Sequence, residues 1–171
     1  HRTVVGTDLS FNSLRKAAGF KTRFDLNKVN FCQANLFCLP FRMESFDYVF
    51  CNGVLHHTHD AYRGFQEVVR LVRRGGYFIL GLYNSFGRLA LDLRRRIFRL
   101  TKNRLTWLDA FIRKKDLDPQ KKLIWFKDQY EHPHETKHTV DEVLGWFRAN
   151  DLRFINAIPP IRVGDSFDPR A

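Results

Sequence analysis

The features that this sequence lacks exclude two classes of protein, those held by disulfides and those that span a membrane through a helix. It has only three cysteines, Cys32, Cys38 and Cys51, and no CxxC pair among them. Such sparse cysteine fits a reduced, cytosolic setting rather than a disulfide framework. No apolar run approaches the roughly 20 residues that a membrane-spanning helix needs, and there are no internal repeats or low-complexity stretches. We therefore expect a cytoplasmic protein with no membrane span.

The composition is that of an ordinary globular domain. The chain has 171 residues, of which 44% are hydrophobic and 27% charged. This length is typical of one domain with a substantial apolar core.

Positive charge is the compositional exception, with a formal net charge of +11. A basic surface of this kind can attract nucleic acid, anionic lipid or an acidic substrate, or it can be a solvated helix surface. The sequence has no interleaved aromatic pattern of the RNA-binding kind, so we favour the solvated surface and keep nucleic acid as an alternative. Eleven of the basic residues between Asn84 and the last predicted helix are Arg94, Arg95, Arg96, Arg99, Lys102, Arg104, Arg113, Lys114, Lys115, Lys121 and Lys122.

The first half of the chain alternates between strand and helix patterns. Residues 4–7 form an apolar run that ends at Asp8. Ser10 suits the N-cap of a helix over residues 11–18, and Gly19 is a plausible stop for that helix.

Three further apolar runs predict strands at residues 29–33, 46–51 and 77–82. Their β-branched and aromatic content predicts strands that are buried on both faces, as in a parallel sheet. A helical stripe over residues 61–72 lies between the last two of them, with Gly75 as its left-handed cap. The alternation predicts a doubly wound α/β sheet.

The second half of the chain is mostly helical in period. Residues 85–127 are basic and are broken by Asp-Leu-Asp-Pro at 116–119. Thr139 begins a capping box and a last helix. Residues 152–157 predict a terminal strand.

Five landmarks fall in order along this pattern. They are VVGTDLS near the start, Leu-Pro-Phe at 39–41, FDYVFCN, the GVLHH that follows it, and Gly75-Gly76 before another apolar strand. Their order and spacing closely resemble the class I S-adenosylmethionine-dependent methyltransferases, in particular the small-molecule "type 11" group. The resemblance implies a Rossmann-like fold, S-adenosylmethionine as cofactor, and methyl transfer to a small or nucleotide-linked acceptor.

The resemblance also implies a division of the chain. Residues 1–84 would be a partial Rossmann-like core, and residues 85–138 a basic helical cap with a His-rich loop. Residues 139–171 would supply the last helix and the terminal strand of the core.

One landmark of the family is missing. The Gly-rich turn after the first strand would precede Asp8 by more residues than this sequence contains, and the chain opens at His1. We therefore expect a fragment that lacks the first βα unit and is inactive by itself. Its open inner strand edges would favour self-association through exchanged strands.

The resemblance places cofactor contacts at the carboxyl ends of the strands. A carboxylate offers two acceptor oxygens to the two ribose hydroxyls, which is the role implied for Asp8. Asn35 stands where the family usually has an acid that contacts adenine, so it departs from the pattern but still offers an acceptor oxygen. The predicted cofactor-binding residues are Asp8, Leu9, Ala34, Asn35, Leu36, Asn52, Gly53 and Val54.

No catalytic residue is identified, although three are candidates: His57, Tyr130 and His134. A general base is needed only for an acceptor atom of high pKa, because the sulfonium already activates the methyl group. The spacing H-x-H-x3-H from His132 to His138 invites a metal interpretation. We favour a loop role instead and predict no metal.

Two other functions compete with methyl transfer. The chain could be a non-catalytic methyltransferase-like module that docks an acidic partner through its basic cap. An acid after the second strand of a dinucleotide-binding sheet also holds NAD ribose, but the order of the landmarks argues against an oxidoreductase. The sequence does not identify the acceptor.

Overall fold

The computed structural model describes residues 3–114, 116–131 and 135–160. Contacts divide the chain into two units. The first contains the residues up to Cys51 together with Tyr62–Leu80, and the second contains Asn52–Ala61 and the residues from Gly81 onward.

The described elements, in chain order, are β1 (Val4–Asp8), α1 (Phe11–Arg23), β2 (Val29–Gln33), β3 (Phe46–Asn52), a 3-10 turn (Leu55–His57), α2 (Ala61–Val69), β4 (Val72–Gly81), α3 (Leu89–Leu100), a 3-10 turn (Thr106–Leu108), α4 (Pro119–Tyr130) and α5 (Val140–Ala149). The three-part division expected from the sequence stays a prediction.

The strands form two parallel pairs. β1 runs parallel to β2, with Val4 opposite Val29 and Asp8 opposite Gln33. β3 pairs with β4, and among the described residues no ladder joins one pair to the other. The mixed α/β order confirms the predicted fold class.

The strands are less buried than their composition predicts. Val4, Tyr48 and Phe50 are 56%, 56% and 68% exposed, so the expectation of strands buried on both faces is wrong. β-Branched and aromatic residues favour any pleated surface, whether or not a layer covers it, so composition alone cannot separate the two cases.

The boundary between α2 and β4 also differs from the prediction. The helix ends at Val69, and β4 begins at Val72 instead of residue 77. The carbonyl of Leu71 accepts a hydrogen bond of 3.0 Å from the N–H of Phe46, which commits this segment to the sheet. Gly75 takes φ +71° inside the strand and is not a helix cap.

The core of the first unit confirms the predicted stripe of α2. Phe65 and Val68 are buried, and the ring of Phe65 meets that of Phe78 edge-on at 5.6 Å. Burying side chains of this size contributes roughly 1.5–3 kcal/mol each.

The capping residues were predicted well, but one helix length was not. Ser10 accepts from the N–H of Ser13 at 3.3 Å, as expected of an N-cap. α1 continues past Gly19 to Arg23, and Asp25 (φ +50°) takes the left-handed position after it. A helical glycine costs only about 1 kcal/mol, which the rest of the helix can offset.

In the second unit, α3 and α4 pack through aromatic rings. Phe98 lies 4.7 Å from Tyr130 and 6.2 Å from Phe126, measured between ring centroids. The predicted break between the helices is confirmed, because Asp118 caps α4 through the N–H of Gln120 at 3.0 Å and Pro119 is the first helical residue.

The end of the described chain is partly as predicted. Thr139 caps α5 by accepting from the N–H of Glu142 at 3.2 Å. The strand predicted at residues 152–157 is absent from the structure, and Ile155 is 67% exposed. An apolar run becomes a strand only where a sheet edge accepts it.

None of the helices that the structure describes has the length and apolar character to cross a bilayer.

Candidate functional site

In the first unit, the carboxyl ends of β1 and β2 bring predicted site residues together. The N–H of Ala34 donates to the carbonyl of Asp8 at 3.1 Å. The carbonyl of Leu9 accepts from Nε2 of Gln33 at 2.9 Å. Asp8, Leu9 and Ala34 therefore lie at one edge of the sheet, where ligands of open α/β sheets bind.

The carboxylate of Asp8 has both a local role and spare capacity. Its Oδ1 accepts from the N–H of Ser10 at 2.7 Å, which holds the turn between β1 and α1. The side chain is exposed, and its second oxygen has no hydrogen-bond partner among the described residues. Capping and ligand binding are therefore compatible at this residue.

Asn35 lies in a tight turn after β2. Its Oδ1 accepts from the N–H of Phe37 at 3.0 Å, and its carbonyl accepts from the N–H of Cys38 at 2.9 Å. The side-chain oxygen predicted to face adenine thus already has one donor, although an amide oxygen can accept two. The Nδ2 group remains a donor, and the neighbouring Leu36 is half-buried.

In the second unit, the turn from Asn52 to Val54 depends on two glycines. Gly53 has φ +77°, and its N–H donates to the carbonyl of Gly81 at 3.1 Å. A Cβ atom on Gly81 would stand 1.7 Å from Oδ1 of Asn52. The sequence analysis selected Gly53 but missed Gly81, because nothing in the sequence pairs these two positions.

The histidines after this turn have different surroundings. His57 is half-buried, whereas His56 is 1% exposed and stacks on Tyr83 with ring centroids 3.7 Å apart. Neither ring nitrogen of His56 has a hydrogen-bond partner among the described residues. Burial, with a further contribution from His57, lowers the pKa of His56 to about 4. His56 is therefore neutral near pH 7.

A buried ion cluster lies in the same unit and was not predicted. Glu135 accepts two hydrogen bonds from Arg95, of 3.2 and 2.7 Å. Arg88 places its guanidinium carbon 3.5 Å from the ring centre of Tyr83 and its Nε 3.5 Å from Glu135. Burial alone would raise the pKa of Glu135, but the hydrogen bonds from Arg95 and the charge of Arg88 outweigh it and lower that pKa.

This cluster gave no usable signal in the sequence. Arg88 and Arg95 are two of many basic residues in one stretch, and their acid partner Glu135 lies 40 positions or more away. Spacing within a helix identifies near neighbours only, so a pair at this separation is visible only in the structure.

The hydroxyl group of the candidate Tyr130 already takes part in a hydrogen bond. It donates to Oδ2 of Asp109 at 2.5 Å, and burial together with this bond raises the pKa of Tyr130 to about 12. A cavity of about 240 Å³ adjoins it. The cavity is lined by Arg95, Phe98, Arg99, Asn103, Phe126, Tyr130 and Glu131.

Two histidines of the H-x-H-x3-H motif, His132 and His134, lie outside the described residues. Within the described ranges, no three His, Cys, Asp or Glu side chains form a group that could hold a metal ion. The prediction that this motif has a loop role and binds no metal therefore stays a prediction, as does the candidacy of His134 as a catalytic residue.

Comparison with known proteins decides the family. Residues 1–80 match the model of the methyltransferase domain family. Residues 1–80 belong to the class I methyltransferases. The uncharacterized methyltransferase YcgJ of Bacillus subtilis is 30% identical over 76 residues, which are 44% of this chain and 30% of that protein. S-adenosylmethionine is the usual methyl donor of this family.

Solved structures agree on the methyltransferase fold. The structure of YcgJ from Bacillus subtilis aligns with 86% of this chain and 51% of its own, at a TM-score of 0.57 and 21% identity. A SAM-dependent methyltransferase from Thermotoga maritima aligns with 86% of this chain and 53% of its own, at a TM-score of 0.50 and 17% identity. This chain thus spans about half the length of these two proteins.

Proposed function

We propose that the intact protein transfers a methyl group from S-adenosylmethionine to a small or nucleotide-linked acceptor. The exposed carboxylate of Asp8 carries the proposal. It stands at the end of β1, one oxygen is fixed by the N–H of Ser10, and the other is available to a ribose hydroxyl. Charge-assisted hydrogen bonds of this type contribute roughly 1.5–3 kcal/mol.

The other predicted contacts follow the family resemblance. Leu9, Ala34, Asn35 and Leu36 would border the adenosine, with the amide of Asn35 as a neutral substitute for the usual acid. Separately, the turn at residues 52–54 would contact the amino-acid portion of the cofactor, where the absence of a side chain at Gly53 permits close approach of the backbone. When bound, the cofactor supplies a methyl group activated by a sulfonium.

The protein's own task is then to orient the two reactants and exclude water. We propose His57 as the residue that assists an acceptor requiring proton removal. His56 has no place in that role, because it is buried against Tyr83. Tyr130 donates to Asp109, so we assign it to packing between α3 and α4, and His134 stays a candidate.

A reducing, cytoplasmic setting fits the three cysteines, which are free thiols. Burial raises the pKa of Cys51 to about 11, so this thiol stays protonated and unreactive. The proposed acceptor is a small molecule, and the proposal requires no nucleic acid.

Two assays test the proposed function. Calorimetric titration of the intact protein should show binding of S-adenosylmethionine and none of NAD, and the absence of cofactor binding would contradict it. In a second assay, formation of S-adenosylhomocysteine is followed with a cell extract as acceptor source. Activity that survives nuclease treatment and is lost after removal of small molecules supports the small acceptor, and the opposite pattern contradicts it.

A further inference from the structure

Helix α3 carries an exposed apolar stripe. Leu89, Leu93, Arg96 and Leu100 recur at spacings of four, three and four, which places them on one side of the helix. The three leucines are 61%, 61% and 85% exposed, and Arg96 is exposed as well. We call these four residues the α3 outer stripe.

The opposite side of the helix holds α3 in its unit. Leu91 and Phe98 are 8% and 1% exposed, and Arg95 donates to Glu135. The second unit therefore builds its core without the α3 outer stripe, which leaves three large leucines in contact with solvent. A contiguous exposed apolar surface commonly marks a binding surface.

The surroundings of the α3 outer stripe are basic. Arg99, Lys102 and Arg104 are exposed, and none of them forms an ion pair within the part of the chain that the structure describes. The one acid of α3, Asp92, is paired with Lys137 and lies 3.6 Å from Arg95. Positive charge at this surface is thus not neutralised from within the unit.

The exposed apolar residues of α1 do not form such a stripe along their helix. In α1, Phe11 and Phe20 are 64% and 55% exposed, but they are nine positions apart and point to opposite sides of the helix. α3 therefore differs from α1, which is also basic, in presenting its apolar residues together. Trp107, 56% exposed, follows α3 and suits a boundary between apolar and aqueous phases.

We infer that the α3 outer stripe binds an anionic lipid surface. Leucines on one side of a helix, with arginine and lysine beside them, are typical of helices that lie in the plane of a membrane interface. Each basic residue near an anionic surface strengthens binding roughly fivefold. Two other occupants fit this surface less well. A second copy of this chain would bring its own basic residues against these, and a nucleic acid would contact the basic residues but leave the leucines without an apolar partner.

Sedimentation with vesicles tests the inference on the full chain. We expect binding to vesicles of phosphatidylcholine mixed with phosphatidylserine, and at least tenfold weaker binding to phosphatidylcholine alone. Leu93→Ser/Leu100→Ser and Arg96→Glu/Arg99→Glu should each weaken binding to the anionic vesicles at least tenfold. Arg96→Lys/Arg99→Lys, which keeps the charge, should bind like the parent chain.

Matched controls exclude general effects of surface change. Ile155→Ser removes an apolar side chain that is 67% exposed, and Arg15→Glu/Lys16→Glu reverses two exposed charges on α1. Both should bind like the parent chain. No binding to anionic vesicles would overturn the inference, as would equal loss in the controls. Binding to a homopolymeric RNA that depends on Arg96 and Arg99 but not on the leucines would overturn it in favour of nucleic acid.

Discussion

The imidazole of His56 stacks on Tyr83 at 3.7 Å, and the carbonyl of His56 accepts a hydrogen bond of 2.8 Å from the N–H of Thr136. These contacts join the turn after β3 to the segment before α5, which is 80 positions further along the chain. The same segment contributes Glu135, the buried partner of Arg95. His56 therefore connects two distant segments of the second unit, and its imidazole is neutral near pH 7.

This arrangement predicts that acid destabilises the second unit. The pKa of His56 is about 4 in the folded chain and 6.5 in its ordinary state, so the unfolded chain binds more protons between these values. The free energy of unfolding should fall by up to about 3 kcal/mol as the pH drops from 6.5 to 4. Tryptophan fluorescence during urea titration can follow this, because Trp107, Trp125 and Trp146 all lie in the second unit.

One variant isolates the contribution of His56. His56→Phe should flatten the dependence on pH in this range, because an aromatic ring is kept and the titrating group is lost. An unaltered pH dependence in His56→Phe would show that other groups cause it.

Removing the charge of Glu135 should be severe. In Glu135→Gln, the buried guanidinium of Arg95 would keep only Asp92 as a counter-charge, 3.6 Å away and shared with Lys137. Loss of a buried partner typically costs about 3–5 kcal/mol. The half-exposed pair of Glu67 with Arg70 at 2.9 Å is the matched comparison, and Glu67→Gln should cost less than about 1 kcal/mol. Urea titration followed by circular dichroism measures both, and equal losses would refute a special role for the buried cluster.

Two glycine substitutions should have opposite effects. A Cβ on Gly76 would stand 2.9 Å from the carbonyl oxygens of Arg73 and Asp47, which are backbone atoms and cannot move aside, so Gly76→Ala should destabilise β4. Nothing lies within 4 Å of a Cβ on Gly145 inside α5, so Gly145→Ala should stabilise by about 0.5–1 kcal/mol. Thermal melts by circular dichroism compare them, and the same sign for both would contradict this prediction.

The turn from Asn52 to Val54 should be sensitive to Gly81. Gly81→Ala would force Oδ1 of Asn52 to move, since the new Cβ would lie 1.7 Å from it. If this turn contacts the cofactor, affinity for S-adenosylmethionine should fall at least tenfold. Gly87→Ala is the matched control, because its nearest atoms lie at an ordinary 3.7 Å. Equal affinities in the two variants would remove the turn from the proposed site.

The sequence predicted what depends on local chemistry. Ser10 and Thr139 act as caps, as their side-chain oxygens and positions indicate, and the alternating strand and helix patterns predicted parallel strand pairing. The landmarks around FDYVFCN identified the family correctly.

The failures share a different cause. Val72 was assigned to a helix, but it begins β4, and the next residue, Arg73, pairs with Asp47 on β3. The carboxylate of Glu135 and its arginines meet only in the folded chain. Contacts between distant positions decide these features, and a single sequence has no signal for them. The roles of Asp8, Asn35 and His57 toward ligands stay predictions for the same reason.

The central claim concerns Asp8 and is tested most directly by calorimetric titration of the intact protein with S-adenosylmethionine. Asp8→Ala should weaken binding at least tenfold, about 1.4 kcal/mol. Asp8→Asn, which can still accept from the N–H of Ser10, should also weaken it, because a carboxylate is the stronger acceptor for two hydroxyl groups. Asp116→Ala, at an exposed position, should bind like the parent protein. Unchanged affinity in both Asp8 variants, with their circular dichroism spectra intact, would contradict the account.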